Sequence, residues 1–320
     1  MTKRIALLDG DVIAYRAAAA NETRSIKVTH KITGQVTEHA HRTAFKEHIK
    51  GFFEADEFDV EDVQTAMPVE FALNGVKATI ESLCKSCDAD EYEVYLSGKT
   101  NFRDDLPLPT KYKSNRTDNI RPLQLKDCRE YLEKHHEAIR VEACEADDAL
   151  AQRAYEGFKQ GTVNIVCTID KDAYGVESWL YNWTKMEKPV LVKGLGSIEL
   201  DEKKCLRGIG RKWYYAQWCK GDMVDCFKPS ELSGKKFGDV ACYKLLAGCK
   251  TDKECVQAVY DQYKAWYPSA ITYTAWDGTE HTKDAIELMD LYAACAHMRR
   301  FPTDVFDTRK LLTKLGINYE

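Results

Sequence analysis

No stretch of this 320-residue chain stays apolar for anything near the ~20 positions that a membrane-spanning helix needs, so no membrane partner is expected. The opening residues, MTKRIALLDGD, are charged too early for a secretory leader, which makes the cytoplasm the expected place of action. Internal repeats and low-complexity tracts are lacking too, which removes repeat architectures. There are twelve cysteines but a single CxxC, Cys84 and Cys87, with no second pair or nearby His to complete four zinc ligands; buried helix thiols are the expectation. Scattered through a large chain without an export signal, the thiols are expected to be reduced. A basic excess is missing as well: the net charge of -5 argues weakly against a nucleic-acid partner, unless the surplus acid is gathered in a metal site. What remains is 44% hydrophobic, enough to bury one large or two medium domains.

Along the chain, Ile5 to Leu8 is a short apolar run ending in Asp9-Gly10-Asp11 and followed by an Ala-rich stretch to Ala20, which reads as strand, turn, helix. Residues 25–41 alternate about Thr33-Gly34, as a β-hairpin insertion would. Residues 44–66 are charged and weakly helical. Apolar residues at helical spacing over 69–87 precede a second strand at Val94 to Leu96. The stretch from Ser97 to Arg121 is rich in Lys, Arg, Asn and Pro with almost no apolar period, and reads as an exposed loop or arch. Pro122 then opens a helix. Val163 to Ile169 and Trp179 to Trp183 are further strands, and beyond residue 200 helices are expected at 213–225, 240–246, 254–266 and 285–297. Strands alternating with helices predict an α/β fold with a mostly parallel sheet.

The chemistry is carried by acids. Glu145-Ala146-Asp147-Asp148 opens a helix, where one or two carboxylates suffice for capping and a third repels its neighbours unless a cation sits among them. Taken alone, an acidic solvated helix start explains this run about as well as a metal site does. Asp9, this cluster and the pair Asp170/Asp172 all fall at strand ends, where ligands bind in parallel sheets. Asp222 and Asp225 are three apart and share a face if helical. Eight carboxylates in one pocket cannot all stay ionised without cations, and hard oxygen ligands in that number suit Mg²⁺ or Mn²⁺, two of which favour in-line attack on a phosphodiester. Lys111, Lys113 and Arg116 around Tyr112 offer cations for phosphates and a ring for an unpaired base.

These motifs resemble the 5′-to-3′ exonucleases of the flap endonuclease superfamily, especially the bacteriophage members, over nearly the whole chain. LLDGD is similar to the family's first strand with its metal-binding Asp, which implies that role for Asp9. GKTNFR followed by YKSNR resembles the arch-base motif whose Lys and Arg contact the scissile phosphate, implying Lys113 and Arg116. EADD matches Glu-x-Asp-Asp, implying metal roles for Glu145, Asp147 and Asp148. TIDKD matches Asp-x-Asp and implies the same for Asp170 and Asp172. KGDMVD resembles the Gly-Asp-x-x-Asp element before a helix-hairpin-helix, implying Asp222 and Asp225.

From the resemblance follow a PIN-like fold and a metal-dependent nuclease domain over 1–200 with a basic arch loop at 97–121. A helical DNA-binding region is implied over 201–320, with a helix-hairpin-helix-like element at 220–248. Lys113, Arg116, Asp148 and Asp170 are the expected catalytic residues. Lys111, Tyr112, Lys113, Arg116, Lys235, Lys236 and Gly238 are the expected DNA contacts. The implied cofactors are two Mg²⁺ or Mn²⁺, with a monovalent cation at the hairpin. The implied partner is DNA with a 5′ end or flap, or an RNA/DNA hybrid, in phage replication or host DNA degradation; a phage-encoded member acts in the host cytoplasm. Two departures stand out. Leu96 and Ser97 occupy the place where family members carry another metal-binding Asp, and the hairpin offers Lys236-Phe237-Gly238 in place of Gly-x-Gly.

Two other classes compete. Asp9-Gly10-Asp11 after a strand also resembles the nucleophile motif of haloacid-dehalogenase-type phosphatases, with Gly221-Asp222 as a metal element, but this leaves Glu145 to Asp148 and the YKSNR loop unexplained. A nucleic-acid-binding protein with a decayed nuclease site is the other. Gly208-Ile209-Gly210 follows no predicted strand and lacks a third Gly, so it reads as a turn.

Overall fold

The first apolar run becomes an inner strand, paired on both sides and therefore without a polar face: β1 (Arg4–Asp9) is buried from Ile5 onward. The computed structural model describes residues 2–116 and 120–319, so residues 117–119 of the expected arch loop lie outside the described residues. After β1 come α1 (Gly10–Ala20), β2 (Glu22–His30), β3 (Val36–His39), α2 (Arg42–Ile49), β4 (Phe58–Ala66) and α3 (Val69–Cys87). Then follow β5 (Glu91–Ser97), α4 (Leu125–His135), β6 (Ile139–Val141), α5 (Ala146–Gln160), β7 (Val163–Cys167), β8 (Ser178–Tyr181) and β9 (Val190–Val192). The remainder is β10 (Ser197–Leu200), β11 (Leu206–Ile209), α6 (Arg211–Lys220), α7 (Asp239–Leu246), α8 (Asp252–Trp266), β12 (Ile271–Thr274), β13 (Glu280–Lys283), α9 (Ala285–Ala296) and α10 (Thr308–Leu315).

The fold is mixed α/β, with a mostly parallel central sheet flanked by helices. The strand order is β6-β5-β1-β7-β8-β9, and only β9 runs antiparallel to its neighbour. Ala149, Leu150 and Ala154 of α5 pack on Ile5, Leu7, Val166 and Leu180 of the sheet. Fully burying one of these Leu, Ile or Val side chains contributes about 1.5–3 kcal/mol.

The chain divides into two compact units, one made of residues 1–11, 81–119 and 137–320, the other of residues 12–80 and 120–136. The first holds the parallel sheet and a large aromatic core in its later part, where Trp213, Trp218, Tyr263, Trp266 and Tyr292 are all buried. The second holds an antiparallel sheet of order β3-β2-β4 whose inner face, Ile26 and Val28, packs on Phe45 and Ile49 of α2. Among the described residues no helix is long and apolar enough to cross a membrane.

The structure departs from the sequence expectations in several places. Residues 58–66, read as weakly helical, form β4, because pairing along the whole of β2 outweighs their charge. Helix α6 ends at Lys220, so Asp222 and Asp225 sit in a turn closed by a bridge between Asp222 and Phe227. The loop after Ser97 is less exposed than expected: Arg103, Leu108 and Tyr112 are buried in it. Strands β10 to β13 and helix α10 were not anticipated, since short strands and an eight-residue helix carry little periodicity.

Candidate metal centre

Parallel pairing brings the carboxyl ends of β1, β5, β6 and β7 to one edge of the sheet. Asp9 is the last residue of β1, and the chain must turn at once into α1. At Gly10 any Cβ would lie 2.7 Å from the Tyr95 carbonyl oxygen, so only glycine permits this tight departure beside β5. Glu145 is the N-cap of α5, and Asp147 and Asp148 occupy its first turn, where the helix N-terminus favours negative charge. Asp170 follows β7, and Asp172 opens the short 3₁₀ turn at Asp172–Gly175. Asp222 and Asp225 reach the same place from the turn after α6. Gly221 begins that turn at φ 78°, and a Cβ there would lie 2.3 Å from the Phe227 carbonyl oxygen.

Carboxylate oxygens of Asp172, Asp222 and Asp225 lie within 4.8 Å of one another. Burial and then the charges of Asp170, Asp225 and Asp222 push the Asp172 carboxyl up to about 8. Asp147 is raised well above the usual carboxylate range, first by its enclosure and then by Asp9, Asp170 and Glu145. Burial also raises Asp225, against the opposing pull of Lys113 and Arg116. Asp9 is buried and accepts a hydrogen bond from Thr168 Oγ1 at 2.7 Å, while the main-chain N–H of Asp172 donates to Asp170 at 3.0 Å. Seven of the eight predicted acids, Asp9, Glu145, Asp147, Asp170, Asp172, Asp222 and Asp225, therefore gather about one space. Their donors are all oxygen, which fits a hard divalent cation; Cys and His play no part in the set.

Cations rim these acids. Lys113 pairs with Glu145, Lys171 pairs with Asp222, and Arg116 reaches Asp225 at 2.8 Å. The segment carrying Lys113 and Arg116 is stapled to the acidic turn: Lys113 N–H donates to the Asp225 carbonyl at 3.0 Å and Asn115 Nδ2 to the Val224 carbonyl at 3.1 Å. Lys113 makes this bond in the left-handed region, at φ 54°.

Several expectations need correction. Asp148 does not face the other acids. It sits one residue on from Asp147, turned back towards the Glu145 N–H (3.2 Å), and Arg103 holds both its oxygens at 2.6 and 3.0 Å. Burial alone would raise its carboxyl, yet the guanidinium holds it below the usual range. Tyr112 is not a stacking surface. Its ring is buried in the core, and its hydroxyl donates to Asp225 at 3.1 Å with Glu145 at 3.4 Å. Lys111 lies over the Trp276 ring at 4.4 Å. Lys235 and Lys236 are exposed ahead of α7, whose N-cap is Gly238, and they are not among the residues of the acidic cluster. At the two positions expected to lack a carboxylate, Leu96 is buried in the sheet, and Ser97 N–H donates to Asp11 at 2.9 Å. Asp11, the partner of Asp9 in the phosphatase motif, is thus engaged by β5.

Sequence reasoning missed Arg103, Lys171, Gln217, which donates to Asp172, and Thr168. Lys171 was legible, lying between the two acids of TIDKD. Arg103 stands 45 positions before Asp148, and no local pattern links them.

No family model matches the sequence, and no curated protein matches it. Among solved structures, the phage T5 D15 protein co-crystallised with metal ions is 12% identical, with 98% of this chain and 97% of that chain covered at a TM-score of 0.51. A bacteriophage T5 D15 flap endonuclease in a pseudo-enzyme-product complex with DNA and metal ions is 14% identical, covering 98% of each chain at a TM-score of 0.49. A T5 5′-exonuclease with bound zinc ions is also 14% identical, with 98% and 97% covered and a TM-score of 0.49. At these identities the likeness is one of architecture, and this chain has the fold of the T5 D15 protein over nearly its whole length.

Proposed function

We propose that this chain is a divalent-metal-dependent nuclease that hydrolyses DNA phosphodiesters at or near a 5′ end, as an exonuclease and flap endonuclease. The observation that carries this reading is the meeting of acids from four separate stretches at one sheet edge, beside Lys113 and Arg116. Such a concentration of carboxylates is unfavourable by itself and becomes favourable with cations among them.

Asp9, Glu145, Asp147 and Asp170 would hold one Mg²⁺ or Mn²⁺, and Asp172, Asp222 and Asp225 a second. When bound, such ions supply a water of lowered pKa and a Lewis-acid contact to phosphoryl oxygen. Lys113 and Arg116 bind the scissile phosphate and offset the charge that develops on it. Thr168 orients the Asp9 carboxylate through its hydroxyl. Gln217 fixes Asp172 by donating from its side-chain amide. Tyr112 serves as the buried post that holds Glu145 and Asp225 in register. Asp148 has no place among the ligands.

Duplex and flap binding falls to the later part of the chain, with Lys235, Lys236 and the α7 N-terminus at Gly238 as phosphate contacts, and a monovalent cation at that turn. Lys111 adds a cation beside the loop. A role in phage DNA replication or host DNA degradation, in the cytoplasm of the host, and tolerance of RNA/DNA hybrids belong to the same reading.

The test is incubation of 5′- and 3′-labelled duplex and 5′-flap DNA with Mg²⁺, Mn²⁺ or chelator. Products shortened from the 5′ side, only with metal, are expected. Metal-independent cleavage or none at all would remove the nuclease assignment.

A further inference from the structure

Arg103 is the most deeply buried cation among the described residues, at 0% exposure. Its Nε donates to the Cys295 carbonyl at 3.1 Å, and Nη2 to the His297 carbonyl at 2.9 Å and Asp148 Oδ1 at 3.0 Å. Nη1 gives one proton to Asp148 Oδ2 at 2.6 Å. A guanidinium has five N–H donors, and the one left on Nη1 has Glu145 Oε2 only 3.7 Å away. Asp148 also accepts from the main-chain N–H groups of Arg299 (3.2 Å) and Glu145 (3.2 Å), so its carboxylate is fixed from two sides.

Two carboxylates therefore compete for one buried guanidinium, and the geometry decides the outcome. Asp148 has the closer, two-pronged grip, and Glu145 is left with a longer approach. A charge this deep cannot stay uncompensated. If Asp148 were neutral, the guanidinium would close the remaining distance to Glu145, which already pairs with Lys113, and so add a second cation at a carboxylate proposed to hold metal. We propose that Asp148 is a positioning residue: the fixed counter-ion that keeps Arg103 off Glu145 and so preserves the metal site. This rests on the metal reading above. It assigns Asp148 a role opposite to that of a ligand, because its charge is spent on the protein's own cation.

The two roles separate in a mutant cycle read by Mn²⁺ affinity, measured calorimetrically or by electron paramagnetic resonance on the full chain, with thermal unfolding recorded alongside. Asp148→Asn should weaken Mn²⁺ binding by at least ~10-fold, since the guanidinium 3.7 Å from Glu145 then loses its counter-charge, and an uncompensated unit charge at that range counts for several kcal/mol at a protein-like dielectric. Adding Arg103→Gln to that variant should bring the affinity back to within about threefold of the parent, even where the melting temperature stays low. A ligand role for Asp148 predicts that the double variant binds as poorly as Asp148→Asn, and that result overturns the proposal. An unchanged affinity in a folded Asp148→Asn variant overturns it too, by reducing the pair to a structural tie. Should Asp148→Asn fail to fold, Asp148→Glu keeps the counter-charge on a longer stem and should retain Mn²⁺ affinity where Glu145→Gln loses it; parallel loss in both overturns the proposal. Absence of Mn²⁺ binding by the parent chain would instead sink the metal reading itself.

Discussion

Two neighbouring acids on the first turn of α5 show two solutions to the same electrostatic problem. Asp148 is closed in with a guanidinium and two main-chain donors, a complete internal settlement. Asp147 looks the other way, towards Asp9 and Asp170, and is raised well above its ordinary range first by burial and then by the acids around it, which outweigh Lys113. One side of the helix turn has its charge met by the fold; on the other, carboxylates crowd together. The contrast separates a carboxylate used for building from one that the metal reading proposed above would use for binding, and each prediction below acts on one side of it.

The largest effect is expected at Asp147. Asp147→Asn should lower metal-dependent cleavage by more than about 10³, beyond the ~10–100-fold that follows loss of an outer partner. In chelator the same variant should melt higher than the parent, because it removes like-charge repulsion. An active variant, or one that melts lower in chelator, breaks the contrast.

Lys113→Ala should slow turnover by about 10²–10³, the loss typical of one transition-state electrostatic contact. Single-turnover rates on a labelled flap at saturating enzyme measure it, and a parental rate takes Lys113 out of the chemistry.

The pH response of stability should have opposite signs on the two sides. Asp148 titrates lower in the folded chain than in the unfolded one, so its contribution is complete above the unfolded pKa and is lost as pH falls through the folded value. Asp172 titrates at about 8 when folded, far above an unfolded Asp near 3.9, so its cost grows as pH rises between those values and is full above about 8. Metal-free protein should therefore lose stability from weakly acidic to mildly alkaline pH, and Asp172→Asn should flatten that limb while Asp148→Asn flattens the acid limb. Denaturant melts at several pH values decide it, and matching slopes in the two variants would erase the distinction.

The smallest effect is ligand stabilisation. Ca²⁺ or Mn²⁺ at 100 times its dissociation constant should stabilise the fold by ~2.7 kcal/mol per site, seen as a rise in melting temperature that chelator reverses. Asp147→Asn should lose most of that rise.

Much of the fold was legible because its signals are local. The apolar runs of β1 and β7, each ending in acids, mark strands buried on both faces and so predict a parallel sheet with its site at their ends. The acids were equally readable as stretches, since like charges crowd into a sequence only where something tolerates them. What each acid faces was not readable. Asp147 and Asp148 are adjacent letters, and the helix rotation between them depends on Arg103 and on the segment near Cys295 to Arg299, far along the chain. Tyr112 was misread for a related reason: its neighbours are basic, and only tertiary packing turns the ring inward and the hydroxyl towards Asp225. Strand β4 was missed because its alternation of Phe58, Val60 and charged residues gains meaning only beside β2.

Lys113 stands where backbone geometry would welcome glycine, at φ 54°, a conformation that costs a side-chain-bearing residue about 1 kcal/mol or more. Lys113→Gly would therefore ease the turn while deleting the ammonium group, whereas Lys113→Ala deletes the ammonium and leaves the torsional burden in place. A glycine variant that unfolds at a higher temperature than the alanine variant, with both equally poor at turnover, would show that the lysine is retained for its charge at the expense of local comfort.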